Sequence, residues 1–290
     1  MPRLPDKMLD CVCYLYESED DARAGVEFGG TGFLISMPSE MSAQNEFSYV
    51  VTNWHVACRG NSVVRVNTVD GGVDVVDYGP DQWAFDPRYD IAIAPMPIKR
   101  DVHRYAILPT EMFLTREGLK KGKFGPGEDV FMVGRFVDHD GGQVNLPAVR
   151  FGNLSVMPSP IEQPNGRMTE MFCIDLHSRT GYSGSPVFMY RTPGWDLSNG
   201  PQEGEQPKIF VSGVKYLGLL GIHCSQFTER WEISSSVKAA EQQGTEPLIT
   251  EGRYIKGLSG MTCVLPAWNI LEVLNMPELK RQRAAIDAQN

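Results

Sequence analysis

Residues 179–187 read Arg179-Thr-Gly-Tyr-Ser-Gly-Ser-Pro-Val187. Glycine stands on both sides of Ser183, at Gly181 and Gly184, so the chain can turn tightly there and present the hydroxyl. A serine hydroxyl is a weak nucleophile. It needs a neighbouring base and a place to stabilise an oxyanion. In such a turn the backbone N–H groups of Gly181 and Ser183 can point at one oxygen. Alone, the string does not decide between chemistry and an ordinary Gly-Ser turn, and Gly-x-Ser-x-Gly also marks α/β-hydrolases. The reading depends on what stands upstream.

Two upstream stretches supply the missing parts. Tyr49-Val-Val-Thr-Asn-Trp-His-Val-Ala57 is a β-branched run that ends in a turn carrying His55. Tyr89-Asp-Ile-Ala-Ile-Ala-Pro95 places Asp90 at the head of a short apolar strand. A base histidine needs a carboxylate on the far side of its ring, to fix the tautomer and stabilise the imidazolium. Asp81 and Asp86 lie nearby but no apolar strand follows them, so they read as loop residues. His55 precedes Asp90 by 35 residues, and Asp90 precedes Ser183 by 93.

Working outward, the chain is a series of short β-branched and aromatic runs divided by Gly, Pro, Asn and Asp. They are Cys11–Tyr16, Gly32–Ser36, Tyr49–Asn53, Ser62–Val66, Ile91–Pro95, Val130–Arg135, Val149–Val156, Met171–Leu176, Pro186–Met189, Ile209–Val214, Leu217–His223 and Met261–Leu265. This texture predicts an all-β protein. The runs fall into two groups, with a turn-rich boundary between Pro97 and Asp129. Apolar residues at helical spacing predict a helix over Ala267–Asn275, and the charged stretch Pro277–Gln289 predicts a second, exposed one. Arg191–Lys208 and Gln226–Gly257 lack a strand pattern and read as long loops.

The three stretches, in the order His, Asp, Ser, resemble the chymotrypsin-like (trypsin-like) serine proteases. In look they come nearest to the bacterial glutamyl-endopeptidase and HtrA-like branches. Subtilisin-like and α/β-hydrolase chains use other orders. Gly29-Gly-Thr-Gly-Phe-Leu-Ile-Ser36 is similar to the strand before the family's histidine, and Gly127-Glu-Asp-Val-Phe-Met-Val-Gly134 to the strand opening its second barrel. Leu219-Leu-Gly-Ile-His-Cys-Ser225 and Ser259-Gly-Met-Thr-Cys-Val-Leu-Pro266 resemble the strands after the nucleophile. The resemblance implies two six-stranded antiparallel β-barrels packed face to face, with a C-terminal helix. Residues 1–112 would form the first barrel, 113–266 the second and 267–290 the helical tail. It implies a serine endopeptidase with His55, Asp90 and Ser183 as the catalytic triad, an oxyanion hole at Gly181 and Ser183, and a protein or peptide substrate. Two departures stand out. Tyr182 occupies the place of the usual Asp or Asn, and no Ile-Val-Gly-Gly activation sequence occurs. With the long insertion at 226–257, Tyr182 motivates a reading of another class: a triad-bearing sensing or binding module, inactive until a partner orders the site.

Counting from Ser183, the resemblance places His177, Ser178, Arg179 and Thr180 at the base of the specificity pocket and His223, Cys224 and Ser225 on its wall. No acid falls there, so a preference for Arg or Lys lacks its counter-charge. Gly221-Ile-His223 is similar to glutamyl endopeptidases, which implies recognition of an acidic residue before the scissile bond. A protonated His223 would then make cleavage after Glu weaken as pH rises. The alternative is a structural His223 and a pocket for small or apolar side chains.

Composition sets the remaining bounds. The 290 residues are 42% apolar and 22% charged, ordinary for a folded globular chain, and the formal net charge is −9. That sign argues against nucleic acid or an anionic membrane as partner. Lys120, Lys121 and Lys123 read as a solvated loop. The N-terminus lacks the pattern of a signal peptide, and no run of about 18 apolar residues occurs. A cytoplasmic protein with six reduced cysteines is the expectation. There is neither a Cys-x-x-Cys pair nor a His-Glu-x-x-His motif, so neither metal nor cofactor is expected.

Overall fold

A computed structural model describes residues 4–27, 29–42, 45–162, 167–191, 216–232 and 254–289. The chain is mostly β. The first sheet contains β1 (Val12–Tyr16), β2 (Thr31–Pro38), β3 (Glu46–Thr52), β4 (Val63–Asn67), β5 (Val73–Val76), β6 (Ala84–Phe85), β7 (Ala92–Pro95) and β8 (Leu108–Pro109). Its order is β5-β4-β1-β2-β3-β7-β6, with β8 parallel to the end of β2. The second contains β9 (Asp129–Gly134), β10 (Ala148–Glu162), β11 (Met168–Asp175), β12 (Pro186–Arg191), β13 (Tyr216–Glu232) and β14 (Tyr254–Pro266), closed in the ring β10-β11-β14-β13-β12-β9.

The expected first six-stranded barrel is corrected to an eight-stranded sheet that does not close through its described pairings. Its end strands, β5 of four residues and β6 of two, each have one pairing partner among the described residues, β4 and β7. Eleven of the twelve predicted runs coincide with strands, and the run Ile209–Val214 lies outside the described residues. Part of the predicted loop 226–257 is strand instead, because β13 continues to Glu232 and pairs with β14 from Tyr254.

The two sheets share one core. Phe33, Ile35 and Val51 from the first pack in the same buried cluster as Phe131, Phe188 and Leu219 from the second. A second contact is polar. Tyr16 lies between two wholly buried guanidinium groups, Arg65 at 4.7 Å and Arg135 at 4.4 Å from its ring centroid. Arg135 also bonds Asp140, and Arg65 bonds Asn145, so the 135–145 segment is tied to β1 and β4. Such burial is tolerated only because both cations are paired or hydrogen-bonded.

Short α1 (Glu19–Ala24), α2 (Trp54–Ala57) and α3 (Arg116–Lys121) lie in connections. On α3, Lys120 and Lys121 sit in the last turn, and Lys121 pairs with Glu117. The chain ends in α4 (Ala267–Leu274) and α5 (Pro277–Asp287). α5 is largely exposed, as its charge suggested, and docks through two residues. Leu279 and Arg283 are buried, Arg283 donates to the Tyr49 hydroxyl, and Ser39 donates to Asp287. The six cysteines are free thiols, five of them buried. Among the described residues, no helix is long and apolar enough to cross a membrane, and no cluster of three or more His, Cys, Asp or Glu could hold a metal.

Candidate active site

β3 ends at Thr52, and the chain turns at Asn53 into α2, which carries His55. The buried Asn53 amide donates to the Asp90 carbonyl at 2.8 Å, which docks the start of β7's lead-in against α2. Asp90 then meets His55 twice. Its Oδ1 accepts the His55 backbone N–H at 2.9 Å, and its Oδ2 lies 2.6 Å from Nδ1. A proton on Nδ1 donating to the carboxylate leaves the Nε2 lone pair free to act as a base. Asp86 is engaged elsewhere, in a two-pronged pair with Arg88, and Asp81 lies in a short 3-10 turn. Of the three carboxylates, Asp90 is the one bonded to His55.

The Ser183 turn leads into β12 and is clamped to the first sheet by one residue. Thr31, wholly buried, donates its backbone N–H to the Ser183 carbonyl at 2.8 Å and its hydroxyl to the Gly181 carbonyl at 2.7 Å. That hydroxyl also accepts the Arg135 N–H at 3.0 Å, and the Thr31 carbonyl accepts the Thr52 hydroxyl at 2.7 Å. Two glycines allow the approach. Gly184 has φ +87°, and a Cβ there would stand 2.0 Å from the Thr31 carbonyl oxygen. A Cβ at Gly30 would lie 2.8 Å from both the Ser183 carbonyl and the Val56 methyls, so β2 enters between the serine turn and the helix of His55.

Tyr182 answers the question its sequence position raised. Its ring is fully buried in the core cluster with Phe172 and Val187, and Arg150 lies over it at 5.2 Å. A buried aromatic ring thus stands where the resemblance led one to expect Asp or Asn. Among the described residues, the N–H groups of Gly181 and Ser183 have no hydrogen-bond partner, and Ser183 Oγ has none either. Those two backbone donors are therefore available to an acceptor from outside the chain.

The expected pocket residues divide into two sets. Ser178 and His223 are buried, and the Ser178 hydroxyl has no partner. Neither ring nitrogen of His223 makes a hydrogen bond of ordinary geometry, although the Tyr182 backbone is close enough to attract its proton. Burial, reinforced by the nearby His55, pushes the His223 pKa down to about 4. Cys224 is buried, with Sγ 3.5 Å from Met171 Sδ, and burial followed by the Asp90 charge pushes its thiol well up. His177, Arg179 and Thr180 are exposed; Arg179 reaches toward Asp138 at 3.6 Å. Ser225 is half-buried and, with Cys224, His55 and Asp90, lines a cleft of about 840 Å³. Sequence reasoning overlooked Thr31, although it stands inside the quoted Gly-rich stretch. Its role depends on contacts 150 residues away, which no local pattern reveals.

A model of the trypsin-like peptidase domain matches residues 30–192, more than half of the chain, and the chain belongs to that family. No curated protein sequence matches it. Among solved structures, the apo MamO protease domain of Magnetospirillum magneticum is 16% identical with a TM-score of 0.47, covering 93% of this chain and 98% of that one. The active form of the Rv3671c protease from M. tuberculosis is 18% identical with a TM-score of 0.42, covering 91% and 77%. A catalytically inactive tobacco etch virus protease complexed with substrate is 17% identical with a TM-score of 0.41, covering 78% and 76%.

Proposed function

We propose that this chain is a serine endopeptidase acting through Ser183, His55 and Asp90. The observation that carries the reading is the two-point contact of Asp90 with His55, on the sheet to which Thr31 pins the Ser183 turn. His55 Nε2 takes the Ser183 proton as Oγ attacks the scissile carbonyl carbon. The oxyanion meets the N–H groups of Gly181 and Ser183. His55 then gives the proton to the leaving amine, and water reverses the sequence on the acyl-enzyme. In this reading residues 1–112 supply base and carboxylate, 113–266 supply nucleophile and pocket, and the tail 267–290 braces the first sheet.

A peptide substrate is favoured over a simple ester by the edge of β13. At Gly221 and Ile222 that strand pairs with both β12 and β14, and from Ser225 onward its pairings among the described residues are with β14. Ser225 lines the cleft, so an extended peptide could add to the other edge as a strand. The second reading, a sensing module silent until a partner orders the site, has one observation in its favour: no hydrogen bond joins Ser183 to His55. Apo sites are often loose in this way. A fluorophosphonate probe separates the two. The peptidase reading expects labelling of Ser183 in the isolated protein. Labelling that occurs only after a binding partner is added favours the sensor.

The pocket preference follows from two buried polar groups without partners. Ser178 and His223 would each donate a hydrogen bond to a substrate oxygen, and each stays unpaired against an apolar side chain. We therefore propose a preference for Glu, with Gln next, before the scissile bond. An unpaired buried donor costs about 1–3 kcal/mol, so Ala, Leu and Arg substrates should be cut roughly 10- to 100-fold more slowly. In the empty pocket burial, reinforced by the nearby His55, pushes the His223 pKa down to about 4. An entering carboxylate pulls that pKa up again, so the Glu-to-Gln cleavage ratio should fall as pH rises. Matched peptides cut by the native protein and by His223→Ala measure both points. Leu or Ala cut fastest, with the ranking unmoved by the substitution, would return His223 to a structural role.

A further inference from the structure

The serine turn carries two glycines at positive φ, +94° at Gly181 and +87° at Gly184. Glycine is conformationally permissive, so the order of such a turn comes from its partners. The Gly181 carbonyl accepts from the Thr31 hydroxyl at 2.7 Å, the Tyr182 carbonyl from the Ser185 N–H at 2.9 Å, and the Ser183 carbonyl from the Thr31 N–H at 2.8 Å. The Tyr182 N–H donates to the Arg179 carbonyl at 3.3 Å and the Gly184 N–H to the His223 carbonyl at 3.1 Å. Of the N–H groups from Gly181 to Ser185, those of Gly181 and Ser183 remain without a partner among the described residues.

One hydroxyl in that set of bonds spans the two sheets, and its direction is fixed. A threonine hydroxyl has a single proton to donate and lone pairs that accept. At Thr31 the Arg135 backbone N–H donates to Oγ1 at 3.0 Å, and the Thr31 proton goes to the Gly181 carbonyl. The Arg135 peptide is itself anchored. Its wholly buried guanidinium donates to the Asp140 carboxylate from Nε at 2.8 Å and from Nη2 at 2.7 Å, and to the Tyr16 hydroxyl at 2.9 Å. A Cβ at Gly181 would stand 2.9 Å from the Arg135 carbonyl oxygen, so the same peptide passes directly against the turn. A chain of contacts thus runs from Tyr16 on β1 through Arg135 and Thr31 to Gly181.

We infer that Thr31 is a positioning residue whose hydroxyl, aligned by the Arg135 N–H, presets the Gly181–Ser183 turn so that its two unpaired N–H groups face one oxyanion before substrate arrives. The inference rests on the peptidase reading and names the group that holds its oxyanion site. Without the hydroxyl the Gly181 carbonyl loses its donor, and a buried carbonyl without a donor is costly enough to drive a local rearrangement. Glycine crosses readily between positive and negative φ. Gly181 is therefore the point at which the turn re-pairs, and its N–H leaves the oxyanion site.

The test compares Thr31→Val, which keeps the side-chain shape and removes the hydroxyl, with Thr31→Ser, which keeps the hydroxyl. Turnover is expressed per site labelled by a fluorophosphonate, so that unfolded protein does not count. The second probe is a peptidyl trifluoromethyl ketone. Ser183 Oγ adds to its carbonyl carbon, the serine proton passes to His55 Nε2, and the former carbonyl oxygen becomes the oxyanion. Thr31→Val is expected to lower kcat about 10- to 100-fold and to weaken the ketone by a similar factor, with KM within about twofold of native. The corresponding peptidyl alcohol, which forms no adduct, should bind both proteins alike. Thr31→Ser should stay within about threefold of native in every readout. Thr31→Ala, which leaves room for a bridging water, takes the place of Thr31→Val if the latter does not fold, with a loss of about tenfold expected. Native kcat per labelled site and native ketone affinity in Thr31→Val, even with a lowered melting temperature, overturn the inference, as do equal losses in Thr31→Val and Thr31→Ser. A native protein that neither labels nor cleaves removes the peptidase reading and this inference with it. A native protein that does both, with Thr31→Val unimpaired, removes this inference alone.

Discussion

Replacing Ser183 by alanine is expected to lower peptide turnover by about 10³-fold or more and to abolish fluorophosphonate labelling, without a measurable shift in thermal unfolding. The stability half of this expectation comes from the contacts of the turn. Thr31 and His223 hold the turn through its backbone groups, the Ser183 and Gly181 carbonyls and the Gly184 N–H, and the Ser183 hydroxyl has no partner among the described residues. Removing that hydroxyl leaves every clamp in place. His55→Ala should reach a similar floor, and the double substitution should fall little further, because nucleophile and base act as one unit. Steady-state assays on purified variants, with melting curves alongside, check all of this. Full peptidase activity in Ser183→Ala would end the assignment.

The second large effect is Asp90→Asn. An amide can keep the contact with the His55 backbone N–H through its oxygen, but it then presents an NH₂ group toward Nδ1. That arrangement favours the tautomer with its lone pair on Nδ1 and its proton on Nε2, the wrong side for a base. A loss of about 10⁴-fold in kcat is the expected scale, with KM little changed. Asp86→Asn is the matched control. It breaks the pair with Arg88 at the mouth of the cleft and should leave kcat close to the native value. If Asp86→Asn proves crippling and Asp90→Asn silent, the carboxylate has been misassigned.

Much of this architecture can be read from the chain because its signals are local. β-Branched runs such as Tyr49–Asn53 and Ile91–Pro95 are bounded by turn residues, and each becomes a strand with the named polar residue at its end. Closure of the first sheet is not local. It depends on which strands β5 and β6 find as partners, and nothing in Val73–Val76 or Ala84–Phe85 announces that each pairs on one side among the described residues. The same holds for α5. Its composition reads as solvent-facing, yet Arg283 finds the Tyr49 hydroxyl and a helix carbonyl in the interior. A charged side chain is placed inside by partners that are distant in sequence, so composition alone assigns it to the surface. Tyr182 is the converse case. Its position was visibly unusual, but the role as an apolar anchor needed Arg150 and the barrel core to be located around it.

The clamp at Thr31 has a consequence for how the molecule comes into being. Base and carboxylate belong to strands that finish early in the chain, while the serine turn becomes available only after most of the second sheet has been made. Thr31 joins them through four hydrogen bonds, which link the serine turn, the lead into β10 and the end of β3. On the proposed reading, neither sheet alone carries a complete site, and hydrolytic competence would require both sheets to be joined through Thr31.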